Sequence, residues 1–234
     1  MKRALIAGAA VLALAGPLWA ADLPQPAPPP PQAPVAYMPV IAPVYNWGGI
    51  YYGINGGYGF GKTDWTNPLI ASGSSGNFNV SGYVVGATVG ANYQMDALVL
   101  GVEGDLDFDD IQGTNTSPFC TLTCQTKNTW LGTARSRIGY AADRVLFYGT
   151  GGIAFGNIEA GVSSNLETQT KAGWTAGAGI EAAFADNWTA RAEYLYVDLQ
   201  NGTCSTTSTC GAPAGDTVKF STSLIRLGVD YKFR

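Results

Sequence analysis

Leu224-Ile225-Arg226-Leu227-Gly228-Val229-Asp230-Tyr231-Lys232-Phe233 decides the fold. Ile225, Leu227, Val229, Tyr231 and Phe233 are apolar, while Arg226, Gly228, Asp230 and Lys232 are polar or small. Such period-two alternation gives a strand one greasy face and one wet face. A strand of a soluble sandwich reads the same way. The aromatic end and the recurrence of the pattern upstream favour a transmembrane barrel, its apolar face on lipid and its polar face lining the lumen.

Seven earlier runs repeat the alternation. In Ile50–Lys62, Ile50, Tyr52, Ile54, Tyr58 and Phe60 oppose Tyr51, Gly53, Asn55, Gly57 and Gly59. In Val80–Gln94, Val85, Val89 and Tyr93 oppose Gly86, Thr88, Gly90 and Asn92; in Leu98–Phe108, Leu100, Val102 and Leu106 oppose Glu103, Asp105 and Asp107. Asn128–Tyr140, Val145–Phe155, Lys171–Phe184 and Trp188–Asp198 follow, with Arg135, Arg137, Glu181, Arg191 and Glu193 on their polar faces. These runs exceed the ~5–6 residues of ordinary globular strands and suit tilted membrane strands of ~9–11 residues with extensions.

The gaps between runs alternate in length. Short ones fall at 95–97, 141–144 and 185–187, and long ones near 64–79, 109–127, 157–170 and 200–217. Short periplasmic turns and long outer loops mark an outer-membrane barrel, and an even strand count leaves both termini on the periplasmic side. The fold class is therefore all-β: an eight-stranded antiparallel up-and-down transmembrane β-barrel over residues 47–234.

Composition agrees. Only 13% of residues are charged, against about a quarter in a soluble domain, while 46% are hydrophobic. No run of 18 apolar residues supplies a membrane helix. The start, Met1-Lys2-Arg3 followed by an apolar stretch to Ala15 and then Gly16-Pro17-Leu18-Trp19-Ala20, reads as a signal peptide over residues 1–20. Removing it leaves 11 basic and 17 acidic residues, net −6, which disfavours nucleic acid as a partner. Residues 21–46 carry nine prolines, so they read as a disordered polyproline-type periplasmic segment.

Cys120, Cys124, Cys204 and Cys210 form two close pairs within the long gaps. In an exported chain an even count favours disulfides over the rival reading, a four-thiolate zinc site, whose usual C-x2-C spacing is absent. Bridging within each pair is the simplest of three connectivities.

Few stretches suggest chemistry. The chain has no histidine, which removes His-dependent triads and His-ligated metals. Gly56–Thr63 satisfies G-x-x-x-x-G-K-[ST], but no helix follows and Tyr58 and Phe60 continue the strand, so nucleotide binding is not expected. Asn115-Thr116-Ser117 reads as loop sequence rather than a glycosylation site. Glu103 and Asp105 form the best carboxylate pair. A catalytic role would need a cleft and a raised carboxyl pKa. The better reading is a lumenal charge network of Glu103, Asp105, Arg135, Arg137, Glu181, Arg191, Glu193 and Arg226, extended by Asp230, in a barrel too narrow to stay empty. Trp47, Trp188, Tyr140 and Tyr231 are expected in the interfacial girdles. No cofactor is expected.

Trp47-Gly48-Gly49-Ile50-Tyr51-Tyr52-Gly53, Ala192-Glu193-Tyr194-Leu195-Tyr196-Val197-Asp198-Leu199 and Gly228-Val229-Asp230-Tyr231-Lys232-Phe233, together with the proline-rich lead, resemble the small outer-membrane β-barrel proteins of alphaproteobacteria. These are immunogenic, porin-family surface proteins related to the membrane domain of outer membrane protein A. The resemblance implies an outer-membrane location in a Gram-negative bacterium. Its implied partners are outer-membrane lipid and lipopolysaccharide, periplasmic chaperones and the barrel-assembly machinery. That machinery would read the terminal strand through Tyr231 and Phe233, although Arg234 follows here where such proteins end on the aromatic residue.

Three functions compete: a non-enzymatic structural and surface-exposed envelope protein (envelope integrity, adhesion to a host ligand, or immune exposure), a porin-like channel for small hydrophilic solutes, and a soluble β-sandwich binding module. The first is preferred, because eight strands enclose little space beside so many inward side chains.

Overall fold

The computed structural model describes residues 45–66, 77–116, 124–162, 165–203 and 217–233. The signal peptide, residues 21–44, Cys120, Cys204 and Cys210, the Cys124 side chain and Arg234 lie outside the described residues.

Eight strands follow in chain order: β1 (Gly49–Thr66), β2 (Phe78–Met95), β3 (Leu98–Asn115), β4 (Cys124–Ala142), β5 (Val145–Val162), β6 (Asn165–Ala183), β7 (Trp188–Thr203) and β8 (Thr217–Lys232). Each pairs antiparallel with the next, and β8 closes on β1. The path of paired residues Gly53, Thr88, Asp105, Thr133, Ala154, Gly173, Leu199 and Phe220 circles the barrel. It returns to β8 ten residues from Asp230, which pairs with Gly53 across the closing seam. That stagger corresponds to a strand tilt of about 40° and a lumen just wide enough for side chains.

The alternation sorts the side chains. Ile54 is 71% exposed, and Val85, Leu106, Phe108, Ile138 and Leu227 also face outward. Tyr51, Thr88, Glu103, Arg135, Glu193 and Arg226 face inward and are buried. Gly56–Thr63 lies inside β1.

The strands run farther than the alternation suggests. An 18-residue strand at this tilt rises about 45 Å, against an apolar band of ~25 Å. Much of the expected 109–127 gap is strand, and only residues 163–164 separate β5 from β6, where 157–170 reads as a long loop. Above the membrane the outer face turns polar and the alternation fades, yet neighbouring strands continue the hydrogen-bonded ladder. Register shifts add to this. In β4 the inward positions are odd from Leu131 to Gly139 but even at Asn128 and Thr126, across an irregularity between Asn128 and Leu131.

Two of the tight turns, at Asp96-Ala97 and Asp143-Arg144, place an aspartate at positive φ (52° and 51°), a conformation Asp tolerates better than most residues. Residues 67–77, 116–123 and 204–216 link strands at the opposite end, which is therefore the cell-surface end.

Candidate functional site

The lumen is layered rather than uniformly charged, which corrects the expectation of a polar interior throughout. Nearest the cell surface lies an apolar layer of Phe78, Val80, Val84, Ile111, Leu131, Leu195, Leu199, Phe220 and Leu224. Nearest the periplasm, Tyr45, Trp47, Val99, Leu146, Tyr148 and Ala183 form a second one. The charged belt lies between them. The upper layer begins within the membrane, where outward Tyr83, Val85 and Ile225 flank inward Val84 and Leu224, so at that height both faces of the sheet are apolar.

Four arginines organise the belt. Register sets Glu103 beside Arg135 and Glu193 beside Arg226. Arg135 donates to Glu103, to Asp105 at 2.6 Å and, across the lumen, to Glu193 at 3.1 Å. Arg226 donates to Asp105 at 3.1 Å, Asp107 at 2.6 Å and Glu193 at 2.5 Å. Arg191 reaches Glu103 at 2.6 Å, donates to Thr88 and lies 3.5 Å from Asp230. Arg137 donates to Glu181 at 2.7 Å and to the Tyr51 hydroxyl at 2.9 Å, with its guanidinium 4.0 Å from the Tyr148 ring centroid. All eight residues expected in the network thus meet in one lattice, and every one is buried.

Sequence reasoning missed the neutral members. Tyr51 donates to Glu103 at 2.7 Å, Tyr148 to Glu193 at 3.0 Å, Thr133 to Asp105 at 2.8 Å and Thr189 to Glu181 at 2.6 Å. Their inward parity was the available signal. Tyr51 fits because Gly90 on β2 has no side chain; a Cβ there would overlap the phenol ring.

Buried ion pairs are costly to desolvate, so they last only where each charge finds several partners, as these do. Asp109 is an exception. It is buried, and neither carboxylate oxygen has a hydrogen-bond partner among the described residues.

At the periplasmic mouth Trp47 is only 1% exposed, which corrects its expected place in the interfacial girdle. The chain bends at Gly49, the first residue of β1, where φ is 127°, and the residue two before it enters the mouth. There the Trp47 indole N–H donates to the Asp143 carbonyl at 3.0 Å, and its backbone N–H donates to Gln94 at 2.6 Å. Tyr45 packs edge-on against Trp47 at 4.9 Å, and Lys232 donates to the Asn46 carbonyl. Tyr45 and Asn46, the last two residues of the proline-rich segment as read from sequence, are thus docked on the barrel. Trp188, Tyr140 and Tyr231 do face outward, with Trp188 and Tyr231 in contact at 5.0 Å. Tyr231 and Phe233 also stack with Tyr52 across the closing seam.

A closed barrel with an apolar outer band, short turns at one end and a filled lumen defines an outer-membrane β-barrel protein. The family described as "Outer membrane protein beta-barrel domain" matches residues 33–233, and the chain belongs to it. The chain is 38% identical over 217 residues to the 31 kDa outer-membrane immunogenic protein of Brucella melitensis, covering 83% of this chain and 88% of that one. It is 34% identical over 235 residues to the 25 kDa outer-membrane immunogenic protein of Brucella abortus, covering 100% and 99%. Among solved structures, Neisserial surface protein A matches with a TM-score of 0.43 and 16% identity, over 79% of this chain and 99% of that one. The location is the bacterial outer membrane.

Proposed function

We propose that this is a non-enzymatic, non-conducting barrel that spans the outer membrane as a structural element and carries its outer connections at the cell surface. The observation that carries the proposal is the lumen itself. Two apolar layers and an arginine–carboxylate lattice are stacked along its axis, and the Arg135–Glu193 contact crosses it. A hydrated path would have to break buried ion pairs, each break costing roughly 3–5 kcal/mol. The belt carboxylates Glu103, Asp105, Glu181 and Glu193 are held by arginine, and the chain lacks histidine, which favours a structural over a catalytic role. The Brucella relatives are named as immunogenic, which supports exposure of the outer connections to antibodies.

The test is single-channel recording on refolded protein in a planar bilayer. The proposal expects no reproducible conductance step. A defined, repeatable step would favour the porin-like alternative and overturn this reading. Antibody labelling of intact cells, using a tag inserted within residues 67–77, tests the surface role, and absence of label would sink it.

A further inference from the structure

On the outer face at the cell-surface end, β8, β1 and β2 carry a groove of 620 Å³ whose floor is a grid set by register. Its upper row is Ser221, Lys62 and Asn79, side by side on the three strands. One row closer to the membrane centre lie Ser223, Phe60 and Ser81, with Tyr196 on β7 opposite Ser223. The groove thus has a cation at its head, hydroxyls and an amide around it, and aromatic rings below.

Lys62 is exposed, both its cross-strand neighbours are neutral, and no carboxylate lies within 4 Å of it among the described residues. Lys127, by contrast, is paired with Asp110 at 3.3 Å. The acid closest to Lys62 along β1 is Asp64, two residues on and opposite Lys219 in register. Height matters too. Lys62 is ten residues beyond Tyr52 of the periplasmic aromatic cluster, a rise of about 25 Å at this tilt, which is the thickness of the apolar band. The ammonium therefore stands at the headgroup level of the outer leaflet, in a groove that opens sideways to lipid.

We propose that this groove seats the phosphorylated sugar headgroup of an outer-leaflet lipopolysaccharide. Lys62 takes the phosphate as a point charge, the serines and Asn79 hydrogen-bond the sugar, and Phe60 and Tyr196 cover the adjoining acyl chains. An aqueous anion would have no use for the aromatic floor, and a neutral lipid none for the unpaired cation. The inference rests on the outer-membrane location and is independent of whether the lumen conducts.

The test is native mass spectrometry of refolded full-length barrel in detergent with bisphosphorylated lipid A. Wild type is expected to retain one lipid A. Lys62→Glu should weaken retention at least about tenfold, the scale of one lost charge-assisted contact, while Lys62→Arg and Lys127→Glu should retain it. Lipid A stripped of phosphate should bind wild type as weakly as the Lys62→Glu variant binds the intact lipid. Lys62 points outward, so heat-modifiable gel mobility should be unchanged and serves as the folding control. Retention unaffected by Lys62→Glu, equal loss in Lys127→Glu, or displacement by inorganic phosphate would each overturn the proposal.

Discussion

Arg135 on β4 and Glu193 on β7 meet at 3.1 Å although three strand-to-strand steps separate them around the barrel wall. No hairpin could make this contact; it exists only once β8 has closed on β1. Arg135 also holds Glu103 and Asp105, so it anchors carboxylates on both sides of the lumen. Arg135→Ala is therefore expected to lower the unfolding free energy by about 3–5 kcal/mol, because three buried carboxylates lose a partner. Urea titration in lipid vesicles, followed by heat-modifiable gel mobility, measures it. Arg144→Ala, which removes an exposed 3.6 Å pair with Asp186, should cost at most about 1 kcal/mol. Equal effects from the two substitutions would count against the lattice as a stabilising element.

Asp109 sits where the charged belt gives way to the apolar layer, its carboxylate without a hydrogen-bond partner among the described residues. Asp109→Leu keeps roughly the shape and removes a buried polar group that has no partner among the described residues. The expected outcome is a gain of roughly 1–3 kcal/mol in the same titration, the scale of an unsatisfied buried polar group. A clear loss of stability would show that the carboxylate has a role that its surroundings do not reveal.

Trp47 fills the periplasmic mouth. Trp47→Ala should cost about 3–5 kcal/mol through the cavity it leaves, and Trp47→Phe less, since only the indole bond to Asp143 and part of the ring are lost. Limited proteolysis is an independent check, because cleavage near Tyr45 should accelerate in the alanine variant. Unchanged cleavage would mean that the segment holds its place without the indole.

Gly90 and Tyr51 are coupled by close approach. Gly90→Ala should destabilise by about 1–3 kcal/mol, and the cost should shrink when Tyr51 is also replaced by Leu. A double-mutant cycle reads the coupling directly, and a value under about 0.5 kcal/mol would mean that the two sites are independent.

The strands announce themselves wherever one face touches lipid. Ile225, Leu227 and Val229 must be apolar for that reason, and Arg226 and Asp230, on the alternate positions, can be polar only because they point inward. The same parity placed Glu103, Arg135 and Glu193 in the lumen. It also runs through Val84, Leu131 and Leu224, but there the inner face is apolar beside an apolar outer face. Val84 lies between outward Tyr83 and Val85, so residue type no longer tells one side from the other. Nor could it extend β5 and β6 towards each other through 157–170, because backbone pairing above the bilayer requires no side-chain pattern.

The amino-acid order alone thus determined the barrel, its strand count, its orientation and the composition of its charged belt. These follow from a local rule: every second residue meets a different solvent. The tertiary structure alone decided that Arg135 reaches Glu193, that Tyr51 and Tyr148 complete the lattice, and that Trp47 enters the mouth rather than the girdle. Those contacts depend on shear, closure and the bend at Gly49, which bring together residues up to about a hundred positions apart and leave no periodicity for a local rule to detect.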